Sequence, residues 1–248
     1  MPPRILPSPV RASGQKRPWA ADDTPCEIIT RVIGAMLRVL VVGLVLLVGA
    51  MFLLPNVQRS LPPPAVATLL TDVRPLPEVS LTDKTSREFA SADLTGQFSL
   101  LFFGFTHCPD ICPLTLNVLA NLHQDWATPQ IEPPNVVFIS VDPERDDPAR
   151  ISSYLDNFDS DFQGVTGARE AMEPWLKALG VTVHIQRQPG GQPYNVTHNS
   201  TIYVVGPGTE LVAVFSAPHD AAIIAADFLK IRQHYLNDRS RSSDSPTS

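Results

Sequence analysis

The stretch Phe98-Ser-Leu-Leu-Phe-Phe-Gly-Phe-Thr-His-Cys-Pro-Asp-Ile-Cys-Pro113 holds the pattern that decides the fold. Its first six residues form a short apolar run with the length and composition of a buried strand. Pro113 suits the first turn of a helix, and we predict that this helix continues to about Trp126. The two cysteines therefore lie where a buried strand gives way to a helix.

The chain that follows this stretch alternates between strand and helix patterns. We predict strands at 136–141, 181–186, 201–205 and 211–215, and helices at about 147–158, 168–179 and 219–236. Strands that alternate with helices and end in a hairpin indicate an α/β sandwich with a mixed central sheet flanked by helices. That order matches a thioredoxin-like fold.

The two cysteines carry the chemistry of this region. A thiol at a helix N-terminus feels the positive end of the helix dipole, which lowers its pKa. Cys108 and Cys112 are four residues apart, so both sulfurs can face one point. Two convergent thiolates suit a soft ion such as Cu(I), or alternatively Zn, and they can also close a disulfide. The competing interpretation, two small buried hydrophobic residues, is disfavoured by the neighbouring prolines and by the strand-to-helix placement.

Three motifs follow one another along the chain: Phe103-Gly-Phe-Thr-His-Cys-Pro-Asp-Ile-Cys-Pro113, Val141-Asp-Pro-Glu-Arg-Asp146 and Tyr194-Asn-Val-Thr-His-Asn-Ser-Thr201. Together they resemble the SCO/SenC family, whose members are copper proteins of cytochrome c oxidase assembly. The resemblance covers about residues 72–236.

The resemblance implies a copper site made of Cys108, Cys112 and His198. Copper would be bound as Cu(I), with Cu(II) left open. The family commonly has Asp immediately before this histidine, where the chain has Thr197, and an acid there can orient an imidazole. Asp142, in the second motif, either helps to shape the site or caps its own loop.

The function that the resemblance implies is copper metallochaperoning. The chain would receive copper from a donor protein and deliver it to the binuclear site of cytochrome c oxidase subunit II. The alternative is a thiol-disulfide oxidoreductase that keeps the recipient's cysteines reduced, with Cys108 as the attacking thiolate. A peroxidase would need a basic residue beside the nucleophile, and no Arg or Lys lies between Arg87 and Arg145.

An apolar run at 39–54 predicts a transmembrane helix, which we extend to 32–55 so that it spans a bilayer. Basic residues concentrate before it, so the N-terminus is expected in the cytoplasm and the domain in the bacterial periplasm. A mitochondrial inner-membrane protein would share this topology. The rival interpretations are a cleaved signal peptide, with Ala65-Val-Ala67 as a distant small-residue motif, and a buried core helix.

The remaining composition sets the domain boundaries. We predict a disordered cytoplasmic tail at 1–30, a proline-rich linker at 56–71, the thioredoxin-like copper-binding domain at 72–236 and a disordered tail at 237–248. Residues 72–236 carry ten basic and twenty acidic side chains. Because this balance repels phosphate backbones, the sequence argues against nucleic-acid binding.

Overall fold

The computed structural model describes residues 33–46, 63–126, 133–187 and 194–243. The chain divides into two compact units, Met1–Ser60 and Leu61–Ser248. In the first unit, residues 33–46 form helix α1, whose apolar side chains are exposed. No helix within the described ranges is both long enough and apolar enough to cross a membrane. The predicted anchor lies partly in α1 and partly outside the described residues, and the predicted tail at 1–30 lies outside them.

The second unit is built from short strands and four helices in its described part. The helices are α2 (Ile111–Trp126), α3 (Pro148–Leu155), α4 (Arg169–Ala178) and α5 (Ala221–Ser243). The strands are β1 (Thr68–Leu69), β2 (Ser80–Asp83), β3 (Glu88–Ala90), β4 (Ser99–Gly104), β5 (Asn135–Ser140), β6 (Gln163–Thr166), β7 (Val183–Gln186), β8 (Asn195–His198), β9 (Ile202–Val205) and β10 (Leu211–Phe215).

One mixed sheet organises this unit, with the strand order β1-β10-β9-β4-β5-β6-β2-β3. Strands β4, β5 and β6 are parallel to one another, and β9 joins β4 antiparallel. Every residue of β4 is buried, which explains its continuous apolar run. Helix α5 packs on α2 and β10, while α3 packs on β6. The predicted mixed α/β architecture and its terminal hairpin, β9–β10, are confirmed.

Four strands of the sheet escaped prediction: β1, β2, β3 and β6. They are only two to four residues long, and all contain polar or small residues. Their strand conformation depends on pairing with neighbours that are distant in sequence, such as β2 with β6. Periodicity within such short segments cannot reveal that pairing.

The predicted linker at 56–71 was wrong in its second half, because the folded domain begins before residue 72. The backbone amides of Ala65, Val66 and Ala67 all donate to the buried carboxylate of Asp227 in α5, at 2.7–3.1 Å. The next residues form β1, which pairs with β10 at the sheet edge. A tertiary contact with a distant helix, invisible in the local sequence, holds this segment to the domain.

The closing helix also extends further than predicted. Helix α5 continues through Ser243, so the prediction of a disordered tail beginning at 237 was wrong for its first residues. Arg239 donates a 2.6 Å hydrogen bond to Tyr235 one turn earlier, and Arg241 pairs with Asp238. Pairs at these spacings stabilise a polar helix end, although its composition resembles that of a loop.

Strand β7 confirms the strand predicted at 181–186, but its pairing partner was not predicted. It does not join the eight-stranded sheet and forms a separate antiparallel hairpin with β8, in which Val183 pairs with His198. No strand was predicted at His198, which precedes the strand predicted at 201–205. The structure places His198 at the last position of β8, so a strand positions its imidazole.

Candidate metal centre

The turn after β4 places the two cysteines beyond the carboxyl end of that strand. Cys108 is half-buried in this turn, and its amide donates to the carbonyl of Phe105 at 3.2 Å. Cys112 is fully buried in the first turn of α2. The helix begins at Ile111, so Pro113 lies in its first turn, as predicted. Pro113 is tolerated there because the first turn of a helix has no internal acceptors for its amides.

Gly104 permits the close approach of Cys112 to the sheet. A Cβ added at this position would lie 2.6 Å from the Phe138 ring and 3.1 Å from the Cys112 sulfur. Any side chain would therefore displace the ring or the thiol. The glycine before the cysteine motif has a packing role that places the sulfur against β4 and β5.

Asp146 fastens the cysteine turn to the sheet. Its carboxylate is fully buried and accepts hydrogen bonds from the Thr106 amide at 2.8 Å, the Thr106 hydroxyl at 2.6 Å and the Ser140 hydroxyl at 2.6 Å. Asp146 is the last residue of the second motif, but no role was predicted for it. A carboxylate a few residues after a buried strand was the signal available in the sequence.

His198 reaches the buried cysteine. Its Nε2 lies 3.4 Å from the sulfur of Cys112, and its Nδ1 lies 2.7 Å from the carbonyl oxygen of Asn199. Because a carbonyl only accepts hydrogen bonds, Nδ1 carries a proton and donates it. Nε2 is then the ring nitrogen that faces the sulfur. The rings of Phe102 and Phe105 pack edge-on against the imidazole.

The two sulfurs differ in their protonation. A hydrogen bond from the Cys112 thiol lowers the pKa of Cys108 to about 4, against the effect of burial, and His198 and the amides of Asp110 and Cys112 add to the shift. The same hydrogen bond to Cys108, together with burial, raises the pKa of Cys112. These opposite shifts favour a thiolate at Cys108 and a thiol at Cys112.

The three predicted ligands thus lie close together. The sulfur of Cys112 contacts His198, and both side chains lower the pKa of Cys108. Among the described residues, no three or more Cys, His, Asp or Glu side chains already form a metal-binding group. Two sulfurs and one imidazole nitrogen are nevertheless a donor set that suits soft, low-coordinate ions.

Other charged and polar groups surround the cysteine turn without joining the sulfurs. His107 is exposed, and its Nδ1 lies 3.2 Å from the Thr106 hydroxyl. Arg150, distant in sequence, donates to that hydroxyl at 3.1 Å. A basic residue does therefore fold toward the turn, although the groups that lower the Cys108 pKa are a thiol, an imidazole and two amides.

Comparison with known proteins places this site in a family context. The sequence model of the SCO1/SenC family matches residues 75–233. A Stutzerimonas stutzeri protein named for copper binding is 35% identical over 150 residues, which are 60% of this chain and 73% of that protein. The mitochondrial SCO2 homologue of Bos taurus is 35% identical over 164 residues, which are 66% of this chain and 60% of the bovine protein.

Comparison with solved structures agrees with the SCO1/SenC family match. The crystal structure of Arabidopsis thaliana ScoI with copper bound matches with a TM-score of 0.60 and 29% identity, covering 64% of this chain and 98% of that chain. The sheet, its helices and the cysteine-bearing turn thus define a thioredoxin-like α/β domain, as predicted. With the family model matching more than half of its length, the chain belongs to the SCO1/SenC family.

Proposed function

We propose that the chain is a copper metallochaperone in which Cys108, Cys112 and His198 hold Cu(I). The observation that carries this proposal is the contact between a buried cysteine sulfur and an imidazole Nε2 at 3.4 Å, beside a second cysteine whose pKa both groups lower. Thiolates and an imidazole favour Cu(I) over hard cations. A relative whose structure contains copper shares the fold at 29% identity, and a protein named for copper binding is 35% identical, which supports copper as the cargo.

The recipient that we propose is the binuclear copper site of cytochrome c oxidase subunit II, and a separate copper donor protein would load the chain. Cys108 is the more exposed of the two sulfurs, so a thiolate of the recipient would displace it first. Cys112 is fully buried and would be released last. Oxidation of the two cysteines to a disulfide would remove two ligands and end binding.

A second candidate is a thiol-disulfide oxidoreductase, which the low pKa of Cys108 favours. The Cys108 thiolate would attack a disulfide of the recipient, forming a mixed disulfide and releasing one recipient thiolate. Cys112, after losing its proton, would then attack the Cys108 sulfur and release the second. The recipient gains two electrons, and the chain ends with a Cys108–Cys112 disulfide.

We further propose that residues 32–55 anchor the chain as a single transmembrane helix in the bacterial inner membrane. The copper-binding domain would then lie in the periplasm, beside a membrane-embedded recipient. Tethering would raise the effective concentration of the two partners. Alkaline phosphatase fused after Ser243 should be active in cells, and an inactive fusion with an active cytoplasmic reporter would contradict this topology.

The decisive experiment measures Cu(I) binding by the reduced and the oxidised chain, using competition with a chromophoric Cu(I) chelator. We expect one equivalent bound only in the reduced form, loss of tight binding in Cys108→Ser, and a decrease of about tenfold or more in His198→Ala. His184→Ala, at an exposed histidine of the same hairpin, is the matched control. Full-affinity binding by Cys108→Ser would refute the site.

The same variants separate the two candidate functions. A reductase would retain thiol-disulfide exchange in His198→Ala while copper binding falls. Exchange with a disulfide substrate, followed by the release of free thiols, measures this directly. A reduced protein that binds no copper but exchanges disulfides would replace the metallochaperone with the oxidoreductase.

A further inference from the structure

A buried cluster joins the second and third sequence motifs close to the candidate site. The carboxylate of Asp142 is 1% exposed and accepts two hydrogen bonds, from the Tyr194 hydroxyl at 2.5 Å and from Nε of Arg145 at 2.5 Å. The sequence left open whether Asp142 shapes the site or caps its own loop. Its partner Tyr194 lies immediately before β8, the strand that carries His198, so the contact reaches the site.

Arg145 makes two further contacts with Tyr194. Its guanidinium lies 3.9 Å from the centroid of the tyrosine ring, and its NH1 donates to the tyrosine carbonyl at 3.2 Å. Tyr194 is thus held through its hydroxyl, its ring and its backbone. The same guanidinium lies 5.8 Å from the Phe105 ring, which in turn packs edge-on against His198 at 5.9 Å.

The position of Tyr194 affects that of His198 because Tyr194 directly precedes β8 and His198 ends it. Side chains alternate along a strand, so Tyr194, Val196 and His198 point to the same face. Val196, which lies between the other two in the sequence, is buried. The β7–β8 hairpin is outside the eight-stranded sheet, so its described residues share no ladder hydrogen bonds with that sheet. At its other strand, Arg187 pairs with Glu144, a neighbour of Asp142.

We propose that Asp142, Arg145 and Tyr194 form a latch that positions His198 for copper, a proposal that rests on the metallochaperone function. The latch fixes one end of β8 to the loop after β5, and Val196 and Phe105 set the direction in which the imidazole projects. The three latch side chains act through His198 and are positioning residues. Removing the Tyr194 hydroxyl should allow β8 to move and weaken the histidine as a ligand, while leaving both sulfurs in place.

The test is a double-mutant cycle on Cu(I) affinity. Tyr194→Phe keeps the ring that stacks on Arg145 and removes only the hydroxyl. We expect it to weaken Cu(I) binding about tenfold in the otherwise unchanged chain, as is typical for a group that orients a metal ligand. In the His198→Ala background, the same substitution should have no effect. An equal loss in both backgrounds, or no loss in the unchanged chain, would overturn the latch.

A second tyrosine provides the matched control. Tyr235 donates to the Glu210 carboxylate at 2.5 Å and accepts from Arg239, which repeats the tyrosine–carboxylate–arginine chemistry away from the cysteines. Tyr235→Phe should leave Cu(I) affinity unchanged. If it weakened binding as much as Tyr194→Phe, the effect would be general destabilisation and the latch would be wrong. Asp142→Asn serves if Tyr194→Phe fails to fold, with the same expected dependence on His198.

A measurement without copper tests the positioning itself. Hydrogen exchange of the backbone amides of Val196–His198 should be faster in Tyr194→Phe than in the unchanged chain, and unaltered in Tyr235→Phe. Unaltered exchange in Tyr194→Phe would contradict the latch. Failure of the metallochaperone proposal would look different, because His198→Ala would then bind Cu(I) as tightly as the unchanged chain.

Discussion

At the scale of single residues, the lack of a side chain at Gly104 leaves room for the sulfur of Cys112, a candidate copper ligand. The Cys112 sulfur occupies the volume that a side chain at 104 would need. We expect Gly104→Ala to lower the free energy of unfolding by about 1–3 kcal/mol, the usual cost of overpacking a core. It should also weaken Cu(I) binding, because Cys112 or Phe138 must move. Urea unfolding and chelator competition measure the two effects.

The control for that substitution is Gly167→Ala, whose Cβ would meet the Leu81 side chain at 2.8 Å. This glycine lies after β6, beside β2, and its replacement overpacks the core without touching a sulfur. We expect a comparable loss of stability and unchanged Cu(I) affinity. If both glycine variants weakened binding equally, the role assigned to Gly104 in placing Cys112 would be wrong.

The structure also predicts how a substitution at Thr197 affects Cu(I) affinity. The side chain is exposed, and as a neighbour of His198 along β8 it points to the opposite face. The Nδ1 proton of His198 already has a partner, the carbonyl of Asn199. We therefore expect Thr197→Asp to change Cu(I) affinity by no more than about threefold, since exposed charges interact weakly through solvent. A tenfold gain in a chelator competition would show that residue 197 orients the imidazole.

At the scale of secondary-structure elements, the sequence predicted those parts whose signal is local. The all-apolar run of β4, the proline-bearing start of α2 and the turn between β9 and β10 can each be recognised from a few adjacent residues. The pairing of β8 with β7 could not be recognised, because β8 is only four residues long and mostly polar, and such a segment carries no periodicity that identifies its partner. The candidate ligands could therefore be proposed from the family resemblance, whereas the strand that carries His198 could not be predicted.

The contact between α5 and the segment before β1 makes stability depend on pH. Burial raises the pKa of Asp227, but the hydrogen bonds from the amides of Ala65, Val66 and Ala67 and from Lys230 outweigh it and hold the pKa at about 2. The unfolded value is near 3.9. The carboxylate therefore contributes stability above about pH 4, and this contribution is lost as the pH falls toward 2.

We expect Asp227→Asn to be destabilised by about 2 kcal/mol at pH 6, with the difference from the unchanged chain shrinking by pH 2.5. Urea unfolding at a series of pH values measures both quantities. Asp156→Asn, at an exposed acid, controls for the removal of one negative charge. A deficit for Asp227→Asn that remained constant down to pH 2.5 would show that the carboxylate does not carry the pH dependence.

At the scale of the whole molecule, the proline-rich segment at 56–71 crosses the boundary between the two units. The second unit begins at Leu61, whereas composition alone placed the domain boundary at 72. Proline content indicated an extended chain at 56–71, and extended conformation is compatible both with a free tether and with a strand docked on a sheet edge. Only the Asp227 carboxylate and the pairing of β1 with β10 distinguish the two.

Two truncated chains test this division. A chain that begins at Leu61 keeps β1 and the amides that bind Asp227, so we expect it to match the thermal midpoint and the Cu(I) affinity of the full chain. A chain that begins at Asp72 leaves the Asp227 carboxylate buried without its backbone donors, which costs about 1–3 kcal/mol or more for a charged group. Its midpoint should fall by several degrees. Cu(I) affinity should remain close to that of the full chain while the domain is folded, because the ligands lie on α2, the turn before it and β8. Equal midpoints for the two truncated chains would show that residues 61–71 serve only as a tether.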